Sequence, residues 1–357
     1  MVNSRPVRGA THNAVSTRFG LTPTEADGDW LDVRAEIDGP PPRLRTSVTV
    51  ETPRTIISRN QSPDIPFDRS INPYRGCEHG CIYCFARPTH AYLDLSPGLD
   101  FESRLFAKPQ AAALLRAELT KPEYEVRPMA LGTNTDPYQP IETDWRITRG
   151  VIEILAETDH PLTITTKSDR VLRDLDLLGA MAAKGLAAVA VSITSLDPKI
   201  ASTLEPRAPH PERRLSAVRR LADAGVPVYV SIAPVIPAIT DHEIEHLIAR
   251  AAEAGAKSAF FLPVRLPHEV APLFRAWLDE HFPDRAGKVM ATIQSLRGGG
   301  RDNDPAFFSR MKGQGPWGDL LATRFRLACR KHGLNRERIE LRTDLFRPPS
   351  GRQGELF

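Results

Sequence analysis

The sequence predicts an α/β fold: a partial (β/α)6 barrel of the TIM type with an irregular N-terminal arm and a helical C-terminal extension. Three observations support this fold class. Short apolar runs alternate with amphipathic helical patterns in the middle of the chain, glycines follow several of the helices, and the alternation stops near residue 268. Near-continuous apolar strands joined by helices are typical of a parallel sheet covered on both faces. An open doubly wound sheet is the alternative, because periodicity does not separate the two.

The N-terminal arm, residues 1–60, is predicted to be irregular because it is rich in proline and arginine and has little periodicity, although Val48 and Ile57 suit a short strand. The core, residues 61–268, contains six predicted strands. They are Ser70–Asn72, Arg127–Gly132, Leu162–Lys167, Ala187–Thr194, Val226–Ala233 and Lys257–Pro263.

Helices are predicted between these strands and beyond them. Those of the core are Lys108–Thr120, Trp145–Thr158, Arg170–Lys184, Pro211–Ala224 and Asp241–Ala254. Gly185, Gly225 and Gly255 stand where a left-handed residue ends a helix. The extension, residues 269–346, is basic and carries the helices Val270–His281, Ala286–Arg297 and Trp317–Lys331, and a flexible tail is predicted over residues 347–357.

Composition excludes several classes of protein. The chain has 357 residues, a net charge of +3 and four cysteines, which are too few for a disulfide-stapled secreted scaffold. Since no apolar run approaches the ~20 residues of a membrane span and no secretory signal is readable, we expect no membrane partner and a cytoplasmic location. Thiols stay reduced there, so the cysteines are expected to be ligands, reactive thiols or core residues.

Three of the four cysteines, Cys77, Cys81 and Cys84, lie within eight residues and follow the first predicted strand. Three thiolates so close together suit one soft-metal centre. Gly76 and Gly80 allow the loop to wrap tightly with its sulfurs inward. The spacing therefore predicts a metal site with three protein ligands.

A structural zinc site is the alternative interpretation of the same cysteines. His79, His90 or Cys329 would then supply the fourth ligand. The chain would be a zinc-stabilised nucleic-acid-binding module without redox chemistry. Zinc motifs usually pair two cysteine elements, and the sequence holds no second one, which favours the first interpretation.

Polar residues follow most of the predicted strands. The second strand runs into residues 132–139, the third ends at Lys167, and the fourth ends at residues 192–195. In a parallel barrel the active site lies at these carboxyl ends. A buried lysine amine needs an anionic partner, and the carboxylate of a cofactor would be one. Capping of the following helices is the alternative role for any single residue.

The cysteine spacing, with Tyr83 directly before Cys84, resembles that of the radical S-adenosylmethionine (SAM) superfamily. The resemblance implies that the three cysteines bind a [4Fe–4S] cluster whose fourth iron is chelated by SAM. It implies reductive cleavage of SAM to a 5′-deoxyadenosyl radical, which abstracts hydrogen from a substrate, and a low-potential electron donor of the ferredoxin or flavodoxin type.

Within the superfamily, residues 55–345 are most similar to the spore-photoproduct-lyase-like branch, which is related to DNA repair photolyases. The similarity is carried by Ile71–Cys77, Thr135–Glu142 and Leu204–Pro209. It implies an unknown substrate, with a nucleic-acid base or nucleotide as the leading class. It also implies a set of SAM-binding residues: Tyr83, Gly132, Thr133, Asn134, Lys167, Ser192 and Arg207.

The sequence departs from that lyase at its hydrogen donor. The lyase uses a further cysteine early in the barrel, where this chain has Met129, and no cysteine occurs between Cys84 and Cys329. Reversal of a thymine dimer is therefore not expected. Tyr138 and Cys329 are the candidate replacement donors and thus the candidate catalytic residues, although Cys329 also fits a packed helical position.

Two features near the C-terminus suggest partners. Residues 297–352 hold 13 Lys and Arg against six Asp and Glu, which suits a nucleic acid or another phosphorylated substrate, although such helices are more often solvated faces. The last five residues, Gln353–Phe357, resemble the pentapeptide that binds the bacterial sliding clamp. A disordered tail, or one docked on the protein's own surface, is the alternative.

Overall fold

The computed structural model describes residues 8–14, 16, 18 and 44–349. Its strands are β1 (Ser47–Val50), β2 (Ile57–Arg59), β3 (Arg69–Ile71), β4 (Tyr74–Arg75), β5 (Arg104–Ala107), β6 (Met129–Leu131), β7 (Leu162–Thr166), β8 (Ala187–Ser192), β9 (Val228–Val235) and β10 (Ser258–Pro263). All six predicted core strands are present.

The main sheet has seven strands in the order β10-β9-β8-β7-β6-β3-β2. Six of these strands run parallel, namely β3, β6, β7, β8, β9 and β10. β2 pairs antiparallel with β3 at one edge. Because the parallel strands follow one another in chain order, the sheet winds in one direction as in a barrel. The partial-barrel prediction is confirmed, and the doubly wound alternative is wrong.

The α-helices are Leu99–Ser103, Ala111–Leu119, Glu142–Trp145, Ile147–Glu157, Leu175–Ala183, Pro198–Leu204, Pro211–Asp223, Ile244–Glu253, Val270–His281, Pro283–Leu296 and Gly315–His332. Short 3₁₀ helices cover Arg87–Leu93, Asp169–Asp174 and Asp241–Glu243. Gly185, Gly225 and Gly255 have φ angles of 73°, 76° and 90°, so the predicted left-handed helix ends are present.

Continuous apolar strands form the core between the helices and the sheet. Every residue of β8 is buried, and Val189 at its centre pairs with Ile164 of β7 and Val228 of β9. Such strands, apolar on both faces, are expected where helices cover both sides.

A second, three-stranded sheet lies beside the barrel in the order β1-β5-β4. β1 runs parallel to β5, and β4 runs antiparallel to it. Its strands β4 and β5 were not predicted, because strands of two and four residues show no periodicity. The part of the N-terminal arm that is described is therefore built into the fold through β1 and β2.

The C-terminal extension is helical as far as His332. Residues 335–347, here called the C-terminal strap, then cross the amino ends of the parallel strands. Three backbone N–H groups of the strap donate to the carbonyls of Lys257, Gly185 and Thr158. One strap carbonyl accepts a hydrogen bond from the Tyr229 hydroxyl. The pentapeptide Gln353–Phe357 lies outside the described residues.

No helix in the described part of the chain is long and apolar enough to cross a membrane.

Candidate active site

The cysteine loop, residues 76–86, lies over the carboxyl ends of the parallel strands. The backbone N–H of Cys77 donates to the carbonyl of Phe101 at 2.9 Å, and the N–H of Ile82 donates to Leu204 at 3.1 Å. Cys77 and Cys81 are buried, and Cys84 is half-buried. The loop is thus held on one side by the helix before β5 and on the other by the helix after β8.

The three thiols lie close enough together for their neighbours to affect the ionisation of Cys77 and Cys81. Burial raises the pKa of Cys77 well above its usual value, and the neighbouring Asp136 and Cys81 raise it further. Burial also raises the pKa of Cys81 to about 12, against the opposing effect of Lys167. Protein ligands of this kind bind as thiolates, so a bound cation would have to stabilise the deprotonated form.

The thiols of the cysteine loop are candidate ligands of a metal cluster. Within the described residues, no three cysteine, histidine or carboxylate side chains are gathered tightly enough to hold an ion as they stand. The fit therefore rests on the donor set: three soft thiols in eight residues, two of them buried, with Lys167 beside Cys81. Iron–sulfur clusters are held by cysteine thiolates, so these residues fit such a group.

The segment after β6 holds the first half of the cysteine loop. Thr135 Oγ1 and Gln139 Nε2 both donate to the carbonyl of Gly76, at 2.7 and 3.2 Å. Gln139 Oε1 accepts the N–H of Glu78 at 2.9 Å. The loop backbone is therefore fixed by side chains of the motif Thr135–Glu142.

His79 lies inside the loop and faces a carboxylate, that of Asp136, whose side chain is only 9% exposed. Its Nδ1 is 3.3 Å from Oδ2 of Asp136, which also accepts the N–H of Lys167 at 2.7 Å. Thr166 Oγ1 donates to the other carboxylate oxygen at 2.7 Å. Burial alone would raise the pKa of Asp136, but His79 and these hydrogen bonds hold it at about 2. A negative charge is thus fixed between the cysteine loop and the end of β7.

A second buried carboxylate, Glu205, holds the other end of the loop. The Tyr83 hydroxyl and Thr194 Oγ1, the latter at 2.7 Å, both donate to it. Arg214 Nη2 forms an ion pair with Glu205 at 2.5 Å, and both side chains are almost fully buried. Burial opposes ionisation, yet Arg214 and Lys167 lower the pKa of Glu205 to about 2.

The amine of Lys167 lies close to Tyr83 and Glu205. Its Nζ is 5.8 Å from the centroid of the Tyr83 ring. Burial would lower the pKa of Lys167, but Cys81 and Glu205 raise it above its usual value. Lys167 is therefore a stable cation at the carboxyl end of β7, next to the cysteines.

Residues 8–10, here called the N-terminal cover, close one side of the cysteine loop. The backbone N–H groups of Gly9 and Ala10 donate to the Glu102 carboxylate at 2.9 and 2.8 Å. Arg87, fully buried, pairs with the same carboxylate and donates to the carbonyls of Gly80 and Cys81. A Cβ on Gly9 would lie 1.7 Å from the Gly80 carbonyl oxygen, so only glycine allows this approach.

The predicted SAM-binding residues Gly132, Lys167 and Ser192 follow or end the adjacent strands β6, β7 and β8, so they share one edge of the sheet. Gly132 has a φ of 86°, and a Cβ there would lie 2.1 Å from the Thr165 carbonyl oxygen. The carbonyl of Ser192 accepts a hydrogen bond from Arg214 at 3.1 Å.

Three more predicted SAM-binding residues contact the loops around the cysteines. Thr133 Oγ1 and the N–H of Asn134 bind the side chain of Asn72, with the Asn134 bond at 2.9 Å. Arg207 donates to Glu78 within the cysteine loop at 2.9 Å. Its guanidinium is therefore already paired.

The two predicted hydrogen donors have other partners. Tyr138 is fully buried, and its hydroxyl donates to Asp174 at 3.0 Å. Cys329 packs in the core with Phe325, where burial raises its pKa to about 11. These contacts fit the packed-core interpretation of Cys329, and neither residue contacts the cysteine loop through any described hydrogen bond.

Sequence reasoning missed the groups that hold the loop from beneath. Asp136, Gln139, Glu205 and Arg214 received no role, and His79 was considered only as a fourth ligand of the alternative zinc site. The available signal was their position, since Asp136, Gln139 and Glu205 all lie in motifs that carry the family resemblance.

Several known proteins resemble this chain in sequence or in fold. Residues 71–251, slightly more than half of the chain, match the family model of the radical SAM superfamily. An uncharacterized protein of Mycobacterium tuberculosis is 39% identical over 222 residues, which cover 62% of this chain and 65% of that protein. An uncharacterized protein of Methanocaldococcus jannaschii is 27% identical over 214 residues, which cover 60% of this chain and 76% of that one. The match thus spans less than two thirds of the mycobacterial relative.

Among solved structures, the fold resembles spore photoproduct lyase complexed with dinucleoside spore photoproduct, with a TM-score of 0.57, 17% identity and 80% of each chain covered. A mutant of that lyase with bound AdoMet and dinucleoside spore photoproduct gives a TM-score of 0.51 at 18% identity over the same shares. This likeness shows the fold. The match to the family model favours the first interpretation of the cysteines over the zinc-module one, and the chain belongs to the radical SAM superfamily.

Proposed function

We propose that Cys77, Cys81 and Cys84 hold a [4Fe–4S] cluster at which SAM is cleaved reductively to a 5′-deoxyadenosyl radical that abstracts hydrogen from the substrate. The observation that carries this proposal is the placement of three interacting thiols over the ends of β6, β7 and β8. Cluster and SAM supply the radical chemistry when bound. The residues of the chain provide ligation, orientation and exclusion of water.

Lys167 is the residue we assign to the carboxylate of SAM. It is a cation beside Cys81, held charged by Glu205. Gly132, whose backbone has the left-handed conformation, begins a turn through Thr133 and Asn134 that lies at the same sheet edge. We assign this turn and Ser192 to the remaining SAM contacts, and Tyr83 to the adenine side.

Arg207 is better suited to holding the loop than to binding a ligand. Its pair with Glu78 links the segment after β8 to the residue that follows Cys77. Tyr138 and Cys329 keep a donor role only as a hypothesis, since each is engaged or packed elsewhere.

A nucleic-acid base or nucleotide is the substrate class that we propose. Support comes from the basic surface of the helix Gly315–His332, where Arg326, Arg330 and Lys331 are exposed. Arg297 of the extension serves the fold instead, because it is buried and donates to four carbonyls. Position 129 is a methionine, which has no thiol hydrogen to donate, so we expect no repair of spore photoproduct by a thiol donor at that position.

Anaerobic reconstitution tests the function. We expect a brown protein with about four irons per chain that forms 5′-deoxyadenosine from SAM with dithionite. Cys81→Ala should lose iron and SAM cleavage, because it removes one of three ligands. Cys329→Ala is the matched control and should retain both. A colourless wild-type protein that keeps stoichiometric zinc after reconstitution would contradict the proposal.

A further inference from the structure

A cleft of about 240 Å³ opens beside the third cysteine, and its lining includes Phe85, Tyr92 and Arg265. Phe85 directly follows Cys84 and is 47% exposed, and Tyr92 is 67% exposed. Large exposed aromatic side chains at one cleft are typical of a contact surface for another molecule. None of these three residues has a role in the proposed function.

The cleft lies at the exposed side of the cysteine loop. Cys77 and Cys81 are each only 7% exposed, and the N-terminal cover with Arg87 closes the loop near Gly80 and Cys81. Cys84 is the half-buried member of the three. Since electron transfer falls steeply with distance, an external donor reaches a group held by these cysteines best from the Cys84 side.

The charge at this cleft is positive. The Arg265 guanidinium lies 4.9 Å from the centroid of the Phe85 ring, close enough to Cys84 for their charges to interact. Arg18 and Arg310 also lie nearby, paired with Glu269 and Asp64. Among the described residues, the lining of the cleft includes the cations Arg18 and Arg265 and no carboxylate, although Asp64 lies near enough to attract the Arg265 guanidinium.

We propose that this cleft is the docking surface for the electron donor, an acidic low-potential protein of the flavodoxin or ferredoxin type. The inference rests on the proposed function. Phe85 and Tyr92 would supply the apolar contact, and Arg265 the complementary charge. One electron leaves the donor, which is oxidised, and enters the group held by the cysteines, which is reduced. No atom or proton is transferred in this step.

Charge reversal at Arg265 tests the surface. The holoenzyme, Arg265→Glu and Arg265→Gln are compared with Arg219→Glu, which makes the same charge change at an exposed site on the helix Pro211–Asp223. The probe is an acidic flavodoxin. Its Kd is measured by anaerobic calorimetry at low and high salt, and SAM cleavage is measured with reduced flavodoxin and, separately, with dithionite.

We expect Arg265→Glu to weaken flavodoxin binding about tenfold at low salt and to slow flavodoxin-driven cleavage by a similar factor at subsaturating donor. Arg265→Gln should show a smaller loss, which guards against a folding defect from a half-buried glutamate. Dithionite-driven cleavage and the Arg219→Glu control should stay within twofold of wild type.

Two results would overturn the docking surface. One is an unchanged Kd for Arg265→Glu. The other is an equal loss of flavodoxin-driven and dithionite-driven cleavage, which would place Arg265 at SAM or at a phosphorylated substrate. Absence of cleavage by the wild type with dithionite would instead overturn the proposed function, and the binding titration would still decide the docking surface.

Discussion

The two ends of the parallel sheet are packed with different chemistry. At the carboxyl end, the segments after β6, β7 and β8 hold charged groups, including the buried pair Glu205–Arg214 and the carboxylate of Asp136. At the amino end, the C-terminal strap crosses the strands through backbone hydrogen bonds. The side chains of Tyr124, His160 and Phe346 pack together there, with ring centroids 5.3–5.8 Å apart.

The difference separates function from stability. Burying a charge is unfavourable unless it is paired, so a chain retains buried charges where they position something. In this protein they hold the cysteine loop and Lys167. The amino end needs only to close the barrel, and it does so mainly through uncharged aromatic and backbone contacts. Its buried Arg69 lies over the Tyr124 ring and is paired with Asp68.

The largest effect is expected at the carboxyl end, from Glu205→Gln. The substitution leaves the Arg214 guanidinium buried without its counter-charge, so the free energy of unfolding should fall by about 3–5 kcal/mol. Urea unfolding of the variant and the wild type measures this loss.

A double-mutant cycle shows whether the loss belongs to the pair. Because Arg214 also binds the carbonyls of Ser192 and Pro209, Arg214→Met should be destabilising by itself. The double variant should nevertheless be more stable than the sum of the single losses predicts, by a coupling of about 1–3 kcal/mol. Strict additivity would mean that the ion pair does not carry the effect.

Most of the barrel could be predicted from sequence because its strands are continuous apolar runs bounded by glycine or polar residues. β8 was predicted as Ala187–Thr194 and spans Ala187–Ser192, and the predicted helix Val270–His281 has the same ends in the structure. β4 could not be predicted, because its two residues become a strand only by pairing with β5, about thirty residues further along the chain.

The site was predictable only where chemistry follows from local spacing. Cys77, Cys81 and Cys84 lie within eight residues of the sequence, so their spacing alone indicates a set of ligands. The pair Glu205–Arg214 could not be predicted in this way, because no sequence periodicity relates a loop carboxylate to a helical arginine nine residues later. Tyr138 was chosen from its place in a motif, but its hydroxyl meets Asp174, a contact 36 residues apart that only the fold brings together.

The second largest effect is expected at the amino end and depends on pH. Nδ1 of His160 lies 2.9 Å from the carbonyl of Pro161 and must donate to it, so in the neutral ring Nε2 accepts the Tyr124 hydroxyl at 2.7 Å. Burial lowers the pKa of His160 to about 4. An unfolded histidine has a pKa near 6.5, so the unfolded chain binds the proton first as the pH falls.

The stabilisation by neutral His160 should therefore be complete above about pH 6.5 and be lost as the pH falls towards 4, by about 2–4 kcal/mol in total. His160→Asn removes the titrating group. Urea unfolding of both proteins from pH 7 to pH 4.5 isolates this contribution, since all other groups titrate alike. Stability curves that run parallel would show that His160 is not held neutral by the fold.

The smallest effect is expected from an exposed ion pair at the same amino end. Lys184 Nζ lies 2.6 Å from Asp159 Oδ1, but the two side chains are 53% and 23% exposed. Water screens such a pair and both side chains lose freedom, so Lys184→Ala should lower the free energy of unfolding by about 0.5 kcal/mol or less. In 1 M salt, where the screening length is about 3 Å, this difference should vanish, whereas the loss in Glu205→Gln should persist because that pair is shielded from ions. If Lys184→Ala were as destabilising as Glu205→Gln, or equally insensitive to salt, burial would not be what distinguishes the two ends of the sheet.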